Sequence, residues 1–374
     1  MTSSRRRVLL VGAGVIVALV LLVGPVRHAL LRMPAVQSRL FARGLAHNLD
    51  SNAAGAAMVN ENELRVVLCG TASPIPNADR AGPCAAVIAA GKIWMVDVGG
   101  GGWRNLMLWH LPGDHLTAVL LTHFHSDHIE DLGEVNLESW VAGRPSALPV
   151  YGGPGVADVV NGFLAAYAHD TSYRIAHHGA EMLPPDREKM IPHVIEAAPG
   201  VPLHEGQTAL VLDQDSMKIT AIGVNHAPVS PAYAYRFDYA GRSVVISGDT
   251  RASPAFATAV AGVDVMVHEA QANDLLQQAQ AIMAEHGNTR LQKLLGDIQS
   301  YHTTPAQAAG IANQAGAKLL ILTHLTPPLP AFLAEPAFMT EVERVRPAGS
   351  LLGYDGLMVS LPAGSDALDV SDLR

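Results

Sequence analysis

The chain has 374 residues, 16% of them charged, with 34 glycines and 24 prolines, a balance that fits a folded α/β enzyme domain and excludes extensive disorder. Its formal net charge is -9, and no cluster of Lys and Arg occurs beyond the extreme N-terminus, so the electrostatic footprint of a nucleic-acid binder is missing. Composition alone therefore points away from nucleic acid as a partner.

In chain order, Arg5, Arg6 and Arg7 precede an uncharged apolar stretch at residues 8–26. At about 1.5 Å per residue it is close to long enough to cross a bilayer core. Residues 1–30 are expected to form a membrane anchor, with the rest of the chain outside the cytoplasm, on the periplasmic side. A cleaved export signal is the alternative, because SRRRVLL has a twin-arginine look. Residues 31–61 are polar and small without sustained period and read as a linker carrying one short amphipathic helix around residues 27–45. A single hydrolase domain is expected over residues 62–374.

Cys69 closes ELRVVLCG and Cys84 opens CAAVIAAG. If these runs are adjacent antiparallel strands, the thiols come within reach of a disulfide; otherwise they are two inert buried thiols. Gly99, Gly100, Gly101 and Gly102 read as a tight turn, since neither G-x-G-x-x-G nor a following Lys-Ser/Thr marks a phosphate loop. Short β-rich runs recur down to GLMVSLP, interspersed with helical patterns at residues 254–261, 275–298 and 305–315. This irregular alternation predicts a mixed-sheet α/β sandwich and not a regular barrel. In HTTPAQAAG, Thr304 is placed to cap a helix, Pro305 to open it and Gln307 to complete a capping box, with Gly316 ending it.

The chemistry concentrates in LLTHFHSDH. His123 and His125 share one side of an extended segment, and Asp127 and His128 begin the next turn or helix. Two pairs of N and O donors then enter one cavity at different heights, which suits two metal ions with positions left for water. One motif cannot fill two coordination shells. His226, Asp249 and His324 each follow an apolar run and supply the rest, while the pair His177 and His178 reads as non-ligating, with replacement of His226 or contact with substrate as its alternatives.

The ordered set THFHSDH, a lone His, SGDT and LTH resembles the metallo-β-lactamase superfamily. CGTASPIPNADRAGPC, VDVMVHEA, GRSVVISGDT and YHTTPAQAAGIANQAGAKLLILTH more narrowly resemble ribonuclease Z and its arylsulfatase-like relatives, over residues 64–330. The resemblance implies a four-layer αββα sandwich and two Zn2+ ions, with Mn2+ or Fe2+ as substitutes. It implies that His123, His125 and His226 hold one ion, that Asp127, His128 and His324 hold the other, and that Asp249 bridges them. It also implies a site lined by His268, Glu269 and His302. A metal-bridging hydroxide would attack, His302 would protonate or stabilise the departing oxygen, Glu269 would orient His302, and Asp127 would take a proton from water.

Two departures bear on substrate. Residues 151–224 carry no Gly- and Pro-rich basic arm of the kind with which ribonuclease Z proteins grip tRNA, and Gln271 and Thr303 stand where the family has Thr and Ser. The expected function is a membrane-tethered dinuclear zinc hydrolase acting on a small-molecule ester, a phosphodiester or aryl sulfate, with no nucleic-acid partner. A lactonase or β-lactam hydrolase on the same metals is the alternative, and a catalytically silent binding protein is a third reading. The oligomeric state is left open, a homodimer included.

Overall fold

The structure, a computed structural model, describes residues 27–59 and 62–374. The expected membrane span at residues 8–26 lies outside the described residues. The chain divides into two compact units, Met1–Ala54 and Gly55–Arg374. In place of a short helix within a linker, one helix of 26 residues runs over Pro34–Val59. Half of its residues are Ala, Leu, Arg or Met, strong helix formers that support a helix without a sustained amphipathic stripe.

In the second unit the strands are β1 (Glu63–Gly70), β2 (Cys84–Ala89), β3 (Lys92–Val96), β4 (Leu116–Leu120), β5 (Leu148–Gly152), β6 (Met190–Val194), β7 (Thr208–Gln214), β8 (Met217–Gly223), β9 (Tyr233–Tyr239), β10 (Arg242–Ile246), β11 (Val265–Gln271), β12 (Leu319–Thr326), β13 (Ser350–Leu352), β14 (Leu357–Pro362) and β15 (Asp369–Asp372). One sheet has the order β15-β14-β1-β2-β3-β4-β5-β6 and the other β13-β12-β11-β10-β9-β8-β7. Both are mixed: β3 to β6 run parallel in the first and β10 to β13 in the second.

The sheets face each other across a core to which both contribute. Leu64, Val66 and Leu68 of β1 lie in it with Tyr235 and Phe237 of β9 and Val265 and Val267 of β11. Alternation along β1 sends Val67 and Cys69 to the opposite face. There they join Trp103, Leu106, Val135 and Val160 from the helices Gly102–Leu108, Leu132–Ala142 and Val156–His178. Behind the second sheet, Phe256, Ala308, Ala312, Phe338 and Val342 come from Pro254–Ala259, Pro305–Ala315 and Ala331–Val345. Strands covered on both faces explain the near-continuous apolar runs, as β1 is buried in all but its first residue.

Local signals hold where they are strongest. Thr304 accepts from the Gln307 amide and Gln307 returns to the Thr304 amide, with Gly316 left-handed at the far end. The pattern at residues 275–298 is instead two helices, Asn273–Glu285 and Thr289–Asp297. Gly287 is left-handed between them and Asn288 caps the second by accepting from the Leu291 amide at 3.1 Å. The tetraglycine turn leads straight into Gly102–Leu108. A Cβ at Gly99 would fall 2.4 Å from the Asp127 carbonyl oxygen, so only glycine lets this turn pass the segment at residues 123–128.

β1 and β2 are antiparallel, Gly70 facing Cys84, and Cys69 and Cys84 form a disulfide across 15 residues. Closing a loop of that length stabilises a fold by roughly 3 kcal/mol in the chain-entropy account. The double change Cys69→Ala and Cys84→Ala is expected to lower the urea-unfolding free energy by about that amount. An unchanged midpoint would show that the bridge does not constrain the unfolded chain.

Candidate metal centre

The seven donors come together at one edge of the paired sheets, where strand ends and loops meet. His123 and His125 follow β4, His226 follows β8, Asp249 follows β10, and His324 lies within β12. The motif SDHI forms a short helix, Ser126–Ile129, which turns Asp127 and His128 in beside His123. Among the described residues the donor atoms fall into three overlapping groups, each with all members within 4.8 Å of one another: His123, His125, His226 and Asp249; Asp127, His128 and His324; and Asp249, His302 and His324. Asp249 reaches all three. Its Oδ2 is 3.9 Å from His123 Nε2, 3.8 Å from His226 Nε2 and 3.5 Å from His324 Nε2, and its Oδ1 is 3.5 Å from His128 Nε2. Asp127 Oδ2 stands 3.4 Å from both His128 Nε2 and His324 Nε2.

These spacings exceed a good charge-assisted hydrogen bond. They match donors that converge on a common cation at about 2.0 to 2.2 Å each. Among the described residues the buried Nε2 atoms of His128 and His226 find no hydrogen-bond partner, an expensive state for imidazoles unless something else engages them. The residues thus fit a divalent metal.

Outer partners orient the rings. Thr122 donates from its amide and hydroxyl to Asp97, each at 2.8 Å, and His128 Nδ1 donates to Asp97 at 2.7 Å. The Thr122 hydroxyl oxygen then accepts from His123 Nδ1 at 3.0 Å, and the Tyr301 carbonyl accepts from His226 Nδ1 at 3.0 Å. With Nδ1 carrying the proton in all three rings, Nε2 turns its lone pair to the centre. His324 is the extra residue of a β-bulge between β11 and β12 and adopts φ +50°. That strained conformation re-aims its side chain into the cluster.

Electrostatics describe a site that demands positive charge. Burial is the largest influence on His123 and holds it well below the usual imidazole range. Burial also opposes charge on His128, but Asp249 and Asp97 outweigh it and raise that ring well above the usual range. Burial would raise Asp249, yet the rings of His324, His128 and His123 drive it well below the carboxylate range. A bound cation satisfies the same anionic oxygens.

Glu269 and His302 stand beside the donors. Glu269 Oε1 accepts from His302 Nδ1 at 2.9 Å, from the Thr250 amide at 3.0 Å and from the Thr303 amide at 3.2 Å. Burial opposes charge on His302, but Glu269 overcomes it and raises the ring to about 9. Glu269 thus favours the protonated form of the ring. His302 packs 5.1 Å from the His226 ring and 5.6 Å from that of His324. His125, Asp127, Asp249 and His302 all line an open cavity of about 920 Å³.

One expected lining residue is elsewhere. His268 is wholly buried, bonded at Nδ1 to the Glu269 carbonyl and edge-on to Phe256 on the helix side. Strand neighbours point to opposite faces, so Glu269 in the site sends His268 out of it. His177 and His178 end an outer helix, exposed and apart from all three groups.

Asp97 was missed, although a carboxylate closing the apolar run IWMV and followed by glycines was a signal. It is 4% exposed with φ +58°. Asp97→Asn, which weakens the grip on the His128 and Thr122 donors, is expected to reduce metal affinity about 10- to 100-fold with the fold intact. Competition with a zinc indicator measures this, and unchanged affinity would exclude the orienting role.

A two-sheet sandwich with an edge cluster of His and Asp defines a metal-dependent hydrolase of the metallo-β-lactamase type. Residues 96–325 match the family described as "Beta-lactamase superfamily domain". A "Ribonuclease Z" of Mycobacterium bovis is 37% identical over 267 residues, 71% of this chain and 86% of the relative. Another, of Mycobacterium marinum, is 35% identical over 71% of this chain and 87% of the relative. Human short-form tRNase Z shares the fold with TM-score 0.57 at 20% identity, over 80% of this chain and 99% of that one. The chain belongs to the metallo-β-lactamase superfamily, in its ribonuclease Z branch.

These findings correct several expectations. Relatives named as ribonucleases overturn the small-ester and aryl-sulfate substrate, the lactonase, β-lactam and silent-protein alternatives, and the exclusion of nucleic acid. The physical error was to average charge over the whole chain: two cations, Arg290 and Lys293, line the cavity of a protein whose net charge is -9. The membrane-tethered, periplasmic placement is corrected too. The finding that overturns it is that the matching relatives are named as ribonuclease Z; among the described residues, which leave out 1–26, no helix is long and apolar enough to cross a membrane.

Proposed function

We propose that the chain is a metal-dependent ribonuclease that hydrolyses a phosphodiester bond of RNA at a centre for two divalent cations, zinc first among them. His123, His125 and His226 would hold one, Asp127, His128 and His324 the other, with Asp249 shared. The observation that carries this reading is the meeting, in one cavity, of donors from groups joined by Asp249 with His302 held by Glu269. The 37% identity to a ribonuclease Z supports RNA as the substrate class.

A divalent cation in such a site brings the pKa of water toward neutrality and offsets charge on phosphoryl oxygens. The chain's own groups do the rest. Asp127 accepts the proton of the attacking water. His302, held by Glu269, delivers its proton to the departing ribose oxygen, and the Glu269 carboxylate keeps the ring both oriented and charged. Gln271 lines the same cavity, while Thr303 fixes the Glu269 side chain through its amide and donates from its hydroxyl to the Thr250 carbonyl at 2.6 Å. With Gln271 and Thr303 in these places, the His302–Glu269 pair is intact.

The test is competition between substrates. Purified protein is expected to cut a labelled tRNA precursor transcript while leaving p-nitrophenyl sulfate intact. Turnover of the sulfate in preference to RNA would reject the reading.

A further inference from the structure

The cavity at the metal centre is walled on one side by the helix Thr289–Asp297, which contributes Thr289, Arg290, Lys293, Leu294 and Asp297. Residues 290, 293, 294 and 297 recur at helical spacing, so one face of this helix is turned to the cavity. Among the described residues, Arg290 and Lys293 are the only Lys or Arg in its lining. Lys293 is paired with Asp297 at 2.5 Å. Among the described residues no hydrogen bond or ion pair engages the Arg290 guanidinium, which stands on the same helix as the Lys293–Asp297 pair.

A polyanion approaching this centre meets Asp127, Asp249 and Asp297 on the cavity wall. Cations in the site offset charge at the scissile phosphate, but the flanking phosphates of an RNA strand need positive charge of their own. The cavity, at about 920 Å³, lies near the top of the roughly 300–1,000 Å³ range of small-ligand pockets. There is room for more than one phosphodiester. A guanidinium is suited to the place, because its planar fork takes a phosphate through two parallel hydrogen bonds and it cannot be deprotonated. Leu294, Ile298 and Tyr301 on the same side offer apolar and aromatic surface to a base.

We propose that Arg290 grips the phosphate adjoining the scissile bond, making the helix Thr289–Asp297 the wall by which this centre selects a polynucleotide over an isolated phosphodiester. The assignment rests on the ribonuclease reading. Arg290 is a specificity residue: it touches the substrate away from the reacting atoms and leaves the metal donors undisturbed.

The experiment compares the full chain with Arg290→Glu and Arg290→Lys on a tRNA precursor transcript and on bis(p-nitrophenyl) phosphate, which has no second phosphate. For R290E the expected result is a fall in kcat/KM on RNA of about 10- to 100-fold, carried by KM, with the salt slope of log(kcat/KM) reduced by about 1. Turnover of bis(p-nitrophenyl) phosphate should stay within about twofold, and R290K should recover part of the loss on RNA. Equal losses on both substrates, or no loss on RNA by R290E, would overturn the subsite while leaving the ribonuclease reading standing. A wild-type protein that turns over bis(p-nitrophenyl) phosphate and leaves RNA uncut at every salt concentration would overturn that reading and the subsite with it.

Discussion

Replacement of Asp249 by asparagine is expected to strip the centre of metal and to cut RNA hydrolysis by about 10³-fold or more, beyond the roughly 10- to 100-fold that loss of an outer partner costs. Asp249 is the one side chain whose two oxygens face donors of the first two groups, His123 and His226 on one side and His128 and His324 on the other. Asparagine keeps the shape but removes the charge, and its amide sets a donor against imidazole lone pairs or against a cation. The residue is 4% exposed, so water cannot take over its role. Metal analysis and a thermal melt separate the outcomes: a folded, metal-free, inactive protein is expected. A variant that keeps its full metal complement would remove Asp249 from the centre.

His302→Ala should separate chemistry from metal binding. The ring shares a donor group with Asp249 and His324 and lines the same cavity, but its Nδ1 is committed to Glu269. That leaves Nε2 for substrate. A positioned proton donor contributes about 10²- to 10⁴-fold, and a loss of that size in kcat with metal content unchanged is the expected result. A variant that loses metal in parallel with activity would recast His302 as a ligand.

Much of this centre was legible in the sequence because ligating residue types closed apolar strands at one sheet edge. His123, His125, Asp127 and His128 are local in sequence, and His226, Asp249 and His324 could be found by looking for the same pattern at other strand ends. Thr304 and Gln307 were legible for a similar reason, since a capping box is a short-range device. What escaped depends on contacts between distant segments. Asp97 meets His128 only after β3 and β4 pair in parallel. The bulge that turns His324 inward exists only in the pairing of β11 with β12. His268 looked like a site residue beside Glu269, but strand alternation sent it to the helix side. The substrate class was misjudged for a related reason: net charge is a property of the whole chain, and RNA would meet only the local field around Arg290 and Lys293.

The most direct measurement is the metal content of protein purified without chelator, joined to cleavage of a tRNA precursor transcript before and after treatment with EDTA. The account predicts about two equivalents of divalent metal, with cleavage abolished by the chelator and restored by added Zn2+ or Mn2+. RNA cleavage that persists in the metal-free protein, or a metal-loaded protein that leaves RNA uncut, would contradict it.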